Sequence, residues 1–489
     1  MTEQNEYTPK PGLLISLFPL LFLIIMMVIN VVIYKDESTF GPNQYALLIS
    51  SIIAAVIGIF VLKLSYKTLE DAMISSISMA LQATLILLIV GSLISIWIMS
   101  GIVPLMIYYG LLLINPNIFL FVACLISAIV ALCTGSSWST SGTIGIALIA
   151  IGHTLGVPIG MVAGAVISGA YFGDKMSPLS DTTNLAPAMA GTDIFSHIRH
   201  MVYSSGPAMA LSLVGFLILG FFFQGSMASN SEIEAVLGTI EKYFNITPWL
   251  LLVPALVIVM VSRRMPALPA LTIGVLLGVV AIPVFQQPLL STMAAPGIAG
   301  AYQSILTTAA DGFTIESGNA TIDELFSRGG MSSMLNTIWL IICAMIFGGM
   351  LEACGMLQRL AEQILKAVRG TGSLVGATVA SCLFTNMTAS DQYIAIVLPA
   401  RMFREAFRRQ GLDPKNLSRA VEDAGTVTSV LVPWNSGGAF HAGVLGVSTL
   451  VYLPFCFFNI FSPLVSVFLG AMNLTMDRIE QEQSEQSST

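Results

Sequence analysis

Two aspartates, Asp174 and Asp181, stand at the two ends of a polar run, Gly173-Asp174-Lys175-Met176-Ser177-Pro178-Leu179-Ser180-Asp181, that interrupts an apolar stretch. In a regular helix that spacing would be about two turns. A carboxylate in apolar surroundings costs several kcal/mol unless a proton, a cation or a partner neutralises it. A site of that kind holds a proton or a cation, and does not readily hold both, which is the minimal chemistry of exchange. The competing reading pairs Asp174 with its neighbour Lys175 and makes Asp181 a helix cap through Thr182 and Thr183.

Oxygen-bearing side chains gather at three other interruptions: Ser136 and Ser137 within 134–139, Asn386 and Asp391 within 385–391, and Asn435 and Ser436 within 432–438. Thr182, Thr183 and Asn184 extend the run that ends at Asp181. Hydroxyl, amide and carboxylate oxygens suit a hard cation such as sodium. The expected metal is therefore sodium as a substrate at Asp174 and Asp181, with no cofactor. Trp138 and Trp434 lie in the interruptions and are expected to wall the cavity. Glu422 and Asp423 read as a cap at an inner helix end. His153 and His441 read as outer-loop residues, and His197 and His200 as inner-loop residues beside Arg199, where imidazoles can sense cytoplasmic pH.

These residues have to be positioned by membrane helices. Of 489 residues, 55% are hydrophobic and only 10% are charged, with a mean hydropathy of +0.84. Soluble domains carry about 25% charged residues. From Ala72 to Gly173 there is no Asp, Glu, Lys or Arg. Each crossing needs about 20 apolar residues, so this run crosses a bilayer several times. In lipid, backbone groups must pair within the segment, so the runs are helices and any break must face protein or a wet cavity. The six cysteines all lie in apolar stretches and read as buried and unpaired. The net charge of −7 and its segregation give no nucleic-acid footprint.

The interruptions recur in order along the chain, which predicts an all-α polytopic membrane protein of two inverted repeats. Residues 1–224 form the first repeat, with a re-entrant hairpin at 117–152 and a broken helix at 157–190. An outer linker at 225–246 follows. Residues 247–471 form the second repeat, with a hairpin at 372–400 and a broken helix at 420–445, and 472–489 is a cytoplasmic tail, disordered at its end. Each half has three spans, a hairpin, a broken helix and a last span, giving about ten crossings plus two hairpins. Five crossings per half is odd, so the halves enter from opposite faces. With both termini inside, sixteen of the 20 basic residues fall on inner segments. Lys35, Lys242 and Arg328 fall outside, and Lys175 alone at membrane depth. The loops at 225–246 and 286–334 read as solvent-facing connections.

The run from Gly173 to Asn184 resembles the NhaC family of sodium/proton antiporters. The stretch from Thr134 to Gly145 and the break at Pro433-Trp434-Asn435 are similar to the same family, and the likeness covers nearly the whole chain. It implies a secondary transporter of the bacterial cytoplasmic membrane with a scaffold half and a moving half, as a homodimer. It points to Asp174, Asp181, Thr182 and Thr183 as the ion-handling positions. A subset of similar proteins exchanges malate and lactate with sodium and protons. That alternative wants an arginine or a helix N-terminus for the bound carboxylate, and no arginine is predicted at membrane depth. A third reading, an intramembrane aspartyl protease, would need a glycine where Tyr171 stands.

Overall fold

The structure, a computed structural model, describes residues 11–34, 37–38, 40–113, 115–222, 230–318, 320–366 and 368–479. The end of the tail, Lys35 and part of the outer linker lie outside the described residues. Among the described residues the chain is helical, without strands, and carries one isolated bridge, Leu412 with Arg478. Seven helices are long and apolar enough to cross a membrane, or up to nine if two sharply bent pairs each count as one span. All six cysteines are unpaired, and all but Cys133 are buried.

Ten helices hold the interruptions. They are α1 (Phe119–Thr134), α2 (Ser137–Thr140), α3 (Ile159–Met176), α4 (Asp181–Ala190), α5 (Ile194–Phe222), α6 (Thr371–Thr388), α7 (Gln392–Arg409), α8 (Pro414–Val421), α9 (Ser436–Leu445) and α10 (Phe457–Ala471). Each interruption separates two of them, and each break carries its own cap. Gly135, at φ 68°, ends α1 in the left-handed conformation, and the Ser136 hydroxyl then caps α2 by accepting from Ser139 N at 3.1 Å. Asp391 and Asn435 cap α7 and α9.

Small residues bring α1 and α3 together. A Cβ on Gly169 would lie 2.0 Å from Cys124 O, and one on Gly173 would lie 2.2 Å from Ala128 O. The two glycines are four residues apart and so share a helix face, the small-xxx-small arrangement that lets membrane helices approach closely. This contact fixes the end of α3, and with it Asp174, against the turn between α1 and α2.

The apolar core has two parts. The larger runs through most of the chain and includes Val166 and Tyr171 of α3. The smaller joins Ala186 and Ala190 of α4 to Val375, Ile396, Phe403, Leu417 and their neighbours on α6, α7 and α8. The break between α3 and α4 therefore passes from one core to the other.

Two sequence expectations change here. The outer loops are more than connections. Helices Asn230–Tyr243, Ile298–Asp311 and Ala320–Phe326 form there, and Ile240, Phe244, Phe313 and Phe326 bury against one another and the main core. These helices are too short and too polar overall to stand out from the sequence. His197 and His200 are buried on α5 rather than in a loop. His197 Nδ1 meets Ser418 Oγ at 2.8 Å and His200 Nε2 meets Asn416 Oδ1 at 3.2 Å, so the pair ties α5 to α8.

Candidate functional site: a cavity at the helix breaks

Asp174 is buried on the last turn of α3. Its Oδ2 accepts from the backbone N–H of Ser137 at 2.9 Å and from the Ser137 hydroxyl at 2.7 Å. The carboxylate thus sits at the N-terminus of α2, where free N–H groups favour negative charge. Across the break, Ser180 caps α4 by accepting from Thr183 N at 3.4 Å. Asp181, the first residue of α4, is exposed to the cavity and is not the cap. Asp391 Oδ1 accepts from Tyr393 N at 2.8 Å and Ile394 N at 3.1 Å, and its Oδ2 accepts from Ser436 Oγ at 3.4 Å.

These groups border one open cavity of about 800 Å³. Of the sequence-predicted residues, Ser136, Asp174, Asp181, Thr182, Asn184, Asp391 and Ser436 line it. Trp138 forms part of its wall, joined by Gln392 and Tyr393 of α7. Arg264, from the turn between helices Leu252–Ser262 and Ala267–Phe285, stands on the same wall with Met265 and Pro266. The three carboxylates share the cavity without converging. Among the described residues no three His, Cys, Asp or Glu side chains form a ready metal cluster.

Of the remaining expected residues, Ser137, Thr183, Asn386 and Asn435 stand behind the wall, while Asn184, on the wall itself, braces its own loop. Thr183 Oγ1 donates to Lys175 O at 2.9 Å, stapling the start of α4 to the end of α3. Asn184 Nδ2 donates to Pro178 O at 3.0 Å and Ser180 O at 2.6 Å, closing the loop between them. Asn386 and Asn435 bond each other. Asn435 Nδ2 donates to Asn386 Oδ1 and O, both at 3.0 Å, while Asn386 Nδ2 reaches Gly425 O at 2.7 Å. They join the second hairpin tip to the second broken helix. Trp434 donates to Met387 O at 2.8 Å and does not line the cavity.

A profile described as the Na+/H+ antiporter family matches residues 169–474, which includes the break, the second hairpin and the second broken helix. The chain belongs to the Na+/H+ antiporter family. The Na+/H+ antiporter NhaC of Alkalihalophilus pseudofirmus is 37% identical over 460 residues, covering 94% of this chain and 96% of that one. A second NhaC, from Bacillus subtilis, is 36% identical over 405 residues, 83% of this chain and 87% of that one. The malate-2H+/Na+-lactate antiporter of Bacillus subtilis is 39% identical over 429 residues, 88% of this chain and 89% of that one. The relatives are transporters, and this family member is a multi-pass membrane transporter and not an enzyme.

Three residues of this antiporter overturn their sequence reading. Glu422 and Asp423 are fully buried, not a surface cap, and open a π-helical turn at Glu422–Thr426. Asp423 pairs with Lys175, which also donates to Ser462 Oγ at 3.1 Å, and Ser204 Oγ donates to Asp423 Oδ1 at 2.9 Å. Both Glu422 oxygens lack a hydrogen-bond donor. His441 is buried on α9 rather than in an outer loop, and its Nδ1 donates to Gly437 O at 2.8 Å. It packs beside Tyr171 and Trp138. The signal that could have found the acids was Lys175 itself, since a lysine at membrane depth needs a carboxylate.

Proposed function

We propose that this chain exchanges sodium for protons across the cytoplasmic membrane, and that the two ions take turns at the carboxylates of the cavity. The observation that carries this reading is Asp174. Its carboxylate is buried at a helix break, held by two donors of Ser137 on one oxygen, and borders a cavity that also contains Asp181 and Asp391. Sodium entering the cavity meets oxygen donors and displaces the proton that otherwise neutralises the site. Asp181, at the exposed start of α4, guides the cation. Ser136, Ser137, Thr182, Thr183, Asn184, Asp391 and Ser436 supply or orient further oxygens, and Asn386 and Asn435 hold the second tip in register.

The same reading makes the two halves inverted repeats, in which α4 with α6, α7 and α8 moves against the larger core. The cavity wall carries Arg264 and the start of α5, which the distribution of basic residues assigns to the cytoplasmic side. The termini are then cytoplasmic, the cavity faces inward, and the protein works in the inner membrane as a homodimer.

The test is ion-gradient-driven proton movement in proteoliposomes without any organic acid. Wild type should move protons when a sodium gradient is imposed, and Asp174→Asn or Asp181→Asn should abolish the exchange in folded protein. Unchanged exchange in both variants defeats the site assignment. A second reading, sodium- and proton-coupled exchange of organic acids, draws support from Arg264, because a guanidinium on the cavity wall can hold a carboxylate. An absolute requirement for malate or lactate in the same assay selects that reading instead.

A further inference from the structure

A second pocket, of about 720 Å³, lies at the other end of α4. Its basic lining comes from three segments: Arg404 and Arg408 of α7, Lys415 of α8, and Arg478 of the C-terminal segment. The segment is tied in place by the Leu412–Arg478 bridge, by Asp413 N donating to Asp477 O at 3.0 Å, and by Ile479 N donating to Gly411 O at 3.0 Å. The acids of the pocket are already engaged. Asp477 pairs with Lys415 at 2.7 Å, and Asp413 Oδ1 caps α8 through Lys415 N at 3.0 Å. Arg404, Arg408 and Arg478 form no ion pair with the described residues. Beneath the basic rim lies an apolar floor of Phe407, Leu412 and Leu417, all buried.

We propose that this pocket binds a phosphate-bearing anion, either the headgroup of an anionic phospholipid or a free phosphate compound. Guanidinium groups present paired donors that match phosphate oxygens. The general excess of basic residues on inner segments accounts for the side on which these arginines lie. It does not account for their convergence from two helices and the chain end onto a floored pocket, which is the arrangement that recognises headgroups. Arg404 lies against Gly191, the residue that ends α4, where a Cβ would stand 2.7 Å from its guanidinium. Ala190 of α4 lines the pocket as well. An anion here clamps the far end of α4 to α7 and α8, and α4 begins at Asp181. Occupancy therefore regulates exchange, and that part of the proposal rests on the antiport reading, whereas binding does not.

Binding is tested on the purified full-length chain by thermal unfolding in detergent, with phosphatidylglycerol, phosphatidylcholine and inorganic phosphate as separate probes. Phosphatidylglycerol or inorganic phosphate should raise the unfolding temperature saturably, and phosphatidylcholine should not. Arg404→Gln/Arg408→Gln should weaken that response about tenfold or more, the loss expected for charge-assisted hydrogen bonds. Arg263→Gln/Arg369→Gln, equal in charge but outside the pocket, should leave it intact. The same response in a chain ending at Ile479 excludes the acidic residues Glu480, Glu482 and Glu485 as the occupant. Which probe acts identifies the source of the phosphate. No response to either anion, or an undiminished response in the pocket variant, overturns the proposal. In phosphatidylcholine liposomes the pocket variant should exchange ions like wild type, and only wild type should change its rate when phosphatidylglycerol is added. Failure of exchange in wild type would instead remove the antiport reading and leave the binding result standing.

Discussion

Lys175 of α3 and Asp423 of the second broken helix form a fully buried ion pair directly behind the cavity. Lys175 stands next to Asp174 in sequence, yet its ammonium points away from that carboxylate and into the other half of the chain. Ser204 of α5 donates to Asp423 Oδ1 and Ser462 of α10 accepts from Lys175, while Asp423 Oδ2 meets no donor among the described residues, and the Phe458 ring lies 5.9 Å from the ammonium. The pair fixes where α3 ends, so it sets the position of Asp174 without occupying the cavity.

Removing one partner should therefore destabilise the protein more than removing both. Lys175→Met leaves Asp423 buried without a countercharge, a loss of about 3–5 kcal/mol for broken pairs of this kind. Lys175→Met/Asp423→Asn should recover much of it. Unfolding in detergent, followed for the two single variants and the double variant, reads the coupling directly. Equal loss in all three would show that the two charges do not stabilise each other.

At Asp174 the two donors of Ser137 can be separated. Ser137→Ala removes the hydroxyl bond and keeps the backbone N–H. A hydrogen bond to a charged group contributes about 1.5–3 kcal/mol, so the apparent sodium affinity should fall about tenfold or more with little change in folding. The check is the sodium dependence of exchange in liposomes. An unaltered sodium dependence would remove Ser137 from the site.

How much of this was readable beforehand depended on contrast. Asp174, Asp181 and the tips near Ser136 and Asp391 stood out because a few polar residues interrupt long apolar runs, and membrane physics leaves such breaks few places to go. Glu422 and Asp423 had no such contrast. They follow Lys415 and Arg419 in sequence, so they blended into an inner polar segment, and only the π-helical turn and the contact with Lys175 bring them into the core. His441 was misplaced because the second broken helix extends its buried part through α9 to Leu445. The Asn386–Asn435 bonds depend on two segments meeting, which no local pattern encodes.

The C-terminal segment should respond to acid in a defined direction. The hydrogen bond from Lys415 holds the Asp477 carboxyl below the usual carboxylate range. A folded-state value below the unfolded one means that the pair's contribution is complete above about pH 4 and is lost as pH falls through the lower, folded value. Both side chains are partly exposed, so the contribution is about 1 kcal/mol or less. At neutral pH, Asp477→Asn should speed hydrogen exchange at the Asp413 and Ile479 amides, after correction for intrinsic rates. Below the folded value the variant and wild type should converge. A difference that persists in acid would mean that Asp477 acts through something other than its charge.

Glu422 offers the sharpest separation of proton from sodium. Its carboxylate is buried, neither oxygen meets a donor, and the nearest cation, Lys175, is committed to Asp423 and Ser462. An ionised group in that position would be uncompensated, at a cost of several kcal/mol, which favours its protonated form. Glutamine keeps the shape and removes the ionisable proton. Glu422→Gln should then fold with stability within about 1 kcal/mol of wild type, whereas an ionised Glu422 paired in some other state would make the same change costly. If the proton on Glu422 is one of those transported, the variant should exchange labelled sodium for sodium at the wild-type rate and move fewer protons per sodium. Those two fluxes, measured side by side in the same liposomes, decide the matter: an unchanged proton count would make Glu422 a silent, protonated packing residue, and loss of sodium-for-sodium exchange would move it into the cation site.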